Sequence, residues 1–207
     1  MSIAGRRASQ GYDYQDIIAV HWLTQLLHDE NLASVQLEII ALLGESEKAT
    51  VDDVVITFKD RSISFIQAKK NQPEHENWTL DDKTLKDELA KICEQLEKTS
   101  HSKIILYSRS PFGELQKLSE ACLTLYQSYS IFKAQAPITT LKPTLLKLAA
   151  IFQRTEEQSY ELVKRINFGS YHSLDDWQTW NLSLLANKVT QPETALDILV
   201  IKQKLLV

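Results

Sequence analysis

Four polar side chains stand at the two ends of one short stretch, Val51 to Lys70: Asp52 and Asp53 where it turns apolar, Gln67 and Lys69 where it turns polar again. Between them, two β-branched runs, Val54 to Phe58 and Ile63 to Ile66, flank the turn-like Lys59-Asp60-Arg61-Ser62. That is the pattern of a β-hairpin. Gln67 and Lys69 are two apart and share one face of their strand. Folding the hairpin brings its ends together, so an acid, an amide and an amine converge. Carboxylate and amide oxygens are hard ligands suited to a magnesium-type ion, which keeps several of its waters. A lysine ammonium beside them can orient an attacking water or stabilise charge building on a phosphate. From these residues alone, an exposed hairpin end that merely carries charges is the more ordinary reading.

The elements that must position these groups follow from periodicity. After Gly11, Tyr12 to Leu27 places apolar residues at 18, 19, 22, 23, 26 and 27, with Asp13 and Asp16 near the start, which predicts a helix. Val35 to Ile40 predicts a strand with Glu38 near its middle. Beyond the hairpin and a polar loop, Asp81 to Lys98 carries Leu85, Leu89, Ile92, Cys93 and Leu96 on one side of an amphipathic helix. Lys103 to Ser108 then predicts a short buried strand. From Pro111 onward the pattern is mostly helical, over Phe112 to Tyr129, Thr144 to Gln153, Glu156 to Ile166, Leu174 to Leu185 and Gln191 to Leu206. The expectation is a core over residues 1–110, in the order α-β-β-β-α-β, and a helical extension over 111–207 packed on it.

That order, with D-x13-Q-x-K from Asp53 to Lys69, resembles the PD-(D/E)xK nuclease superfamily in its Mrr-like variant, where glutamine replaces the second acid. Gly11-Tyr12-Asp13-Tyr14-Gln15 adds the pattern G-x-x-Y-Q. Together with Glu38, these motifs resemble the nuclease domain of the double-stranded DNA endonuclease effectors of bacterial antiphage systems. Those include CD-NTase-associated endonucleases joined to SAVED domains, and related nuclease heads on STAND NTPase sensors and beside HerA-type ATPases. The resemblance implies an α/β fold with a restriction-endonuclease-like core and a mixed central sheet. It implies a Mg2+ ion, replaceable by Mn2+, held by Asp53 (Asp52 as the fallback), Gln67 and Glu38. Asp53, Gln67 and Lys69 would be the catalytic set, and Gln15 and Lys70 supporting or DNA-contacting residues. Double-stranded DNA would be the substrate. A sensor or NTPase domain, on the same or a partner chain, would switch the enzyme on through homo-oligomerisation. Gln67 leaves the site one negative charge short of the commoner pattern, so metal affinity should rest more on Asp53, Glu38 and the DNA phosphates.

Composition bounds these readings. A chain of 207 residues is long enough for one domain, or a core with an appendage, with a substantial buried core. The net charge of −4 and pI near 5.8 disfavour a free-standing DNA-binding module and ask for a local basic patch or reinforcement from another subunit. Arg6 and Arg7 are further candidates for backbone contacts. No apolar run approaches the roughly 18 residues of a membrane span, and the N-terminus lacks a signal peptide's apolar core. Cys93 and Cys122 lack C-x-x-C spacing and read as buried thiols, which fits the cytoplasm. His21, His28, His75, His101 and His172 show no zinc spacing. A phosphate-binding G-x4-G-K-[ST] loop and a G-x-S-x-G elbow are both missing. The closing apolar run Ile198 to Val207 reads as the cut edge of a longer protein. Glu38 also reads as a strand-edge acid, and Gln15 as a helix-start or packing residue. The rivals to an endonuclease are a non-catalytic interaction module on a degenerate nuclease fold, and a nuclease that takes RNA.

Overall fold

A computed structural model describes residues 3–37, 54–69, 77–169 and 172–187, with side chains from Tyr14 onward. The expected order opens the chain: α1 (Ile3–Gln25), β1 (Leu32–Leu37), β2 (Val54–Phe58), β3 (Ile63–Lys69), α2 (Lys83–Lys98) and β4 (Ser102–Ser108). There follow α3 (Glu114–Thr124), α4 (Tyr129–Gln135), α5 (Leu141–Phe152), α6 (Glu156–Val163), β5 (Ile166–Phe168) and α7 (Leu174–Ala186). The strands form one mixed sheet in the order β1-β2-β3-β4-β5. β1/β2 and β2/β3 are antiparallel, while β3/β4 and β4/β5 are parallel. The class is α/β.

Strand alternation divides the interior in two. Val55 and Phe65 face Leu85, Leu89, Ile92 and Leu96 of α2, in a core that continues into α3, α5 and α6. Val54, Ile56, Ile66 and Ala68 face the other way, onto Tyr14, Ile17 and Ile18 of α1 and Trp177 of α7. Helices therefore cover both sides of the sheet, and β3 is buried along nearly its whole length. The hairpin turn is locally specified. Asp60 accepts from the backbone N–H of Ser62 at 2.8 Å and from its hydroxyl at 2.7 Å, which holds Arg61 at φ 68°. Those bonds from Ser62 also hold the Asp60 carboxyl below the usual carboxylate range.

Several boundaries differ from expectation. The first helix starts at Ile3, not Tyr12, and Gly11 lies inside it. Ala4, Arg6, Arg7, Ala8 and Gln10 are strong helix formers, and together they outweigh the ~1 kcal/mol cost of an internal glycine. β1 starts at Leu32 rather than Val35, and Glu38 to Ile40 lie outside the described residues. β3 continues through Gln67, Ala68 and Lys69, because parallel β4 pairs with it to its end. The helix expected over Phe112 to Tyr129 is shorter, and a further helix, α4, begins only at Tyr129. α3 ends at Thr124, and the Ser128 hydroxyl caps α4 by accepting from Ile131 N–H. α6 stops at Val163 instead of running to Ile166, and Ile166–Phe168 forms the unexpected fifth strand beside β4. Arg165 fastens that edge by donating to the carbonyls of Thr99 and Ser102. The helix expected over Gln191 to Leu206 lies outside the described residues. Among the described residues, no helix is long and apolar enough to cross a membrane.

Candidate functional site

The chemistry gathers at the carboxyl end of β3, where the face towards α2 changes character. Phe65 is fully buried there, and the next side chains on that face, Gln67 and Lys69, are polar. Gln67 is only 5% exposed and sits opposite Leu106 in the parallel ladder; Lys69 sits opposite Ser108. The carboxyl ends of parallel strands are where α/β sheets most readily gather ligand-binding groups.

α2 crosses this face as the connection between β3 and β4, and brings an acid to it. Glu88 lies on the buried side of the helix among Leu85, Leu89 and Ile92. Its Oε2 is 2.9 Å from Lys69 Nζ and its Oε1 is 3.2 Å from Lys91 Nζ. The exposures are graded: the Glu88 side chain is 10% exposed, Lys69 20% and Lys91 53%, so Glu88 and Lys69 meet largely out of solvent. Beside them, the buried Ser108 hydroxyl accepts from Trp78 Nε1 at 2.7 Å and from the Ser110 N–H at 3.0 Å. Trp78 lies nearly parallel to the Phe112 ring, its centroid 6.5 Å away. Cys93 is five residues further along α2, on its buried side, where burial pushes its thiol up to about 11. Both cysteines are free and buried, as their spacing led one to expect.

Of the residues singled out from the sequence, Gln67 and Lys69 come together on one face. Gln15 is half-buried on α1, which covers the opposite face of the sheet. Arg6 and Arg7 belong to the backbone of α1. Glu38, Asp52, Asp53 and Lys70 lie outside the described residues. Among the described residues, no group of three or more His, Cys, Asp or Glu side chains could hold a metal ion. The part of the donor set that is described, the buried Gln67 amide, has an oxygen hard enough for Mg2+. Glu88 has each oxygen engaged by a lysine.

Sequence reasoning missed Glu88, Ser108 and Trp78. A signal for Glu88 was present: it falls within the apolar stripe of α2, three residues after Leu85 and four before Ile92, where an acid is out of place. Trp177 is buried as a core aromatic, whereas Trp180 is 43% exposed.

No family profile matches the sequence, and no curated protein matches it. In fold, the chain is similar to a solved structure, the Acinetobacter baumannii Cap4 SAVED/CARF-domain containing receptor with the cyclic trinucleotide 3'3'3'-cAAA. The TM-score is 0.58 at 11% identity, and the alignment covers 95% of this chain and 40% of that one. This chain thus spans about two fifths of that receptor's length. At this identity the likeness is one of fold.

Proposed function

We propose that this chain is a metal-dependent DNA endonuclease unit of a bacterial antiphage defence protein, and that a sensor or NTPase domain switches it on by driving its homo-oligomerisation. One observation carries the reading. Gln67 and Lys69 share a face at the carboxyl end of β3, and Asp53 directly precedes Val54, the β2 residue that pairs with Ile66. The hairpin between Asp53 and Gln67 pairs in register from Val54/Ile66 to Thr57/Ile63, which supports reading D-x13-Q-x-K as one motif. The fold likeness to a receptor solved with a cyclic trinucleotide supports the defence setting and a partner domain that senses a nucleotide signal.

Each residue has a role in this reading. Asp53, with Asp52 as the fallback, Gln67 and Glu38 would hold Mg2+ or Mn2+, and the bound ion supplies the Lewis acidity that activates water and polarises a phosphoryl oxygen. Lys69 presents its ammonium to the attacking water or to the scissile phosphate, where negative charge builds. Lys70 contacts the DNA backbone without reading sequence, and Gln15 supports the site from α1 behind the sheet. With a net charge of −4, one copy has little general attraction for DNA, so several copies sharing one duplex would bind far better. The setting is the cytoplasm, where the DNA is and where Cys93 and Cys122 stay reduced.

The test is plasmid degradation at high protein concentration with Mg2+ or Mn2+, with EDTA and Lys69→Ala as controls. Loss of plasmid that both controls abolish is the expected result. Unchanged cleavage by Lys69→Ala would move the active site elsewhere. No cleavage by the full-length protein together with its activator would favour a non-catalytic interaction module. Competition between DNA and RNA substrates separates the deoxyribonuclease from a nuclease that takes RNA.

A further inference from the structure

We propose that Glu88 is the positioning residue of this site, the group that sets where the Lys69 ammonium stands. The inference rests on the nuclease reading above. It starts from an acid in the wrong place for stability. Glu88 occupies the sheet-facing stripe of α2, 8% exposed, among Leu85, Leu89 and Ile92. An apolar side chain there would join the core without the desolvation penalty of a carboxylate, and buried ion pairs are often replaced by hydrophobic residues at no cost to stability. Folding by itself is a poor account of the residue.

Its geometry accounts for it better. Lys69 ends a strand that pairs with β4 along its whole length, but its four-carbon stem is flexible, and an unanchored ammonium samples many positions. The contact of 2.9 Å to Oε2 removes that freedom. Lys91, on the solvent side, engages Oε1 and so fixes the rotation of the carboxylate that Lys69 docks on. An ammonium has three N–H donors. The pair takes one, and in the proposed role a water or a phosphate oxygen takes another. Two ammonium groups about one carboxylate leave the cluster with net positive charge, the sign a phosphodiester needs. Holding a reacting group in place before the substrate arrives is a large part of what a site does for rate.

The test uses the full chain with Glu88→Gln, which keeps the shape and removes the charge. Circular dichroism and the melting temperature establish that it folds. In the wild type, an amine-reactive ester should label Lys69 slowly, as followed by peptide mass spectrometry, with exposed Lys103 as the internal reference. In Glu88→Gln, Lys69 labelling should quicken several-fold and Lys103 labelling stay the same. Plasmid cleavage should fall about tenfold or more in kcat with DNA affinity within about twofold of wild type, the split expected of lost positioning. Glu88→Asp, with the charge kept and the reach shortened, should lie between the two, and it carries the same test if Glu88→Gln does not fold. Arg154→Gln, which breaks an ion pair to Glu97 on the same helix, should cleave as wild type does. If Lys69→Ala is dead but the Glu88 variants cleave like wild type, or if cleavage falls only in proportion to DNA affinity, the nuclease reading stands and the positioning role fails. If the wild type does not cleave plasmid at high protein concentration with either Mg2+ or Mn2+, the nuclease reading fails and takes this inference with it.

Discussion

Trp78 donates its indole N–H to Ser108 Oγ at 2.7 Å, and Ser108 stands directly across the ladder from Lys69. The backbone N–H of Trp78 also donates to the Pro111 carbonyl, at 2.9 Å. The segment leading into α2 is thereby tied to the end of β4, and the helix that carries Glu88 is tied to the strand end beside Lys69. Trp78→Phe keeps an aromatic ring against Phe112 and loses the donor; Ser108→Ala loses the acceptor. A double-mutant cycle in urea should give a coupling of about 1 kcal/mol. Strict additivity would mean that this bond holds nothing in place.

Gln67 decides how much charge the proposed ion would meet. Gln67→Glu adds a carboxylate of nearly the same shape, and should lower the Mg2+ concentration for half-maximal cleavage by on the order of tenfold. The measurement is a Mg2+ titration of the plasmid assay. An unaltered requirement would put Gln67 outside the metal's shell.

His21 gives the packing of α1 on α7 a pH dependence. Its ring sits 4.8 Å from Trp177 between centroids, and its Nδ1 lies 3.0 Å from Asn181 Oδ1. Burial lowers its pKa from 6.5, and the bond to Asn181 partly opposes that. A histidine with a lower pKa when folded takes up its proton more readily once unfolded. The stability it contributes is therefore present above about pH 6.5 and is lost as the pH falls from there towards the folded value. Melting temperatures between about pH 8 and 5 should fall more steeply for wild type than for His21→Gln. Equal slopes would place the pH dependence on other groups.

Gly169 is set so close to Tyr107 that any side chain there must displace the ring. A Cβ there would lie 2.5 Å from the ring Cδ1 and 3.1 Å from the Leu106 carbonyl oxygen, to which the Gly169 N–H itself donates. The Tyr107 ring is wedged edge-on against Trp177, and burial pushes its phenol up to about 12. Gly169→Ala should cost about 1–3 kcal/mol in urea denaturation by forcing these rings apart. An unchanged midpoint would show that the ring has room to move.

Local order was legible in the chain wherever neighbours in sequence decide it. Short apolar, β-branched runs marked β2 and β3, the Asp60 turn between them needs only Ser62 to close it, and the stripe from Leu85 to Leu96 marked α2. The same period of two placed Gln67 and Lys69 on one face before any partner was known. What the chain could not disclose depends on partners far away in sequence. β5 is three residues long, too short for a pattern, and is a strand because β4 lies beside it. Glu88 interrupts the apolar stripe of α2, but its partner was not legible until the crossover laid α2 over β3 and set its carboxylate against Lys69. Residue type and spacing thus determined by themselves which side chains share a face, since backbone geometry repeats over a few residues. Tertiary structure decided which faces meet, because that depends on burying whole helices and strands against one another, and the pairing of Glu88 with Lys69 is a product of that packing.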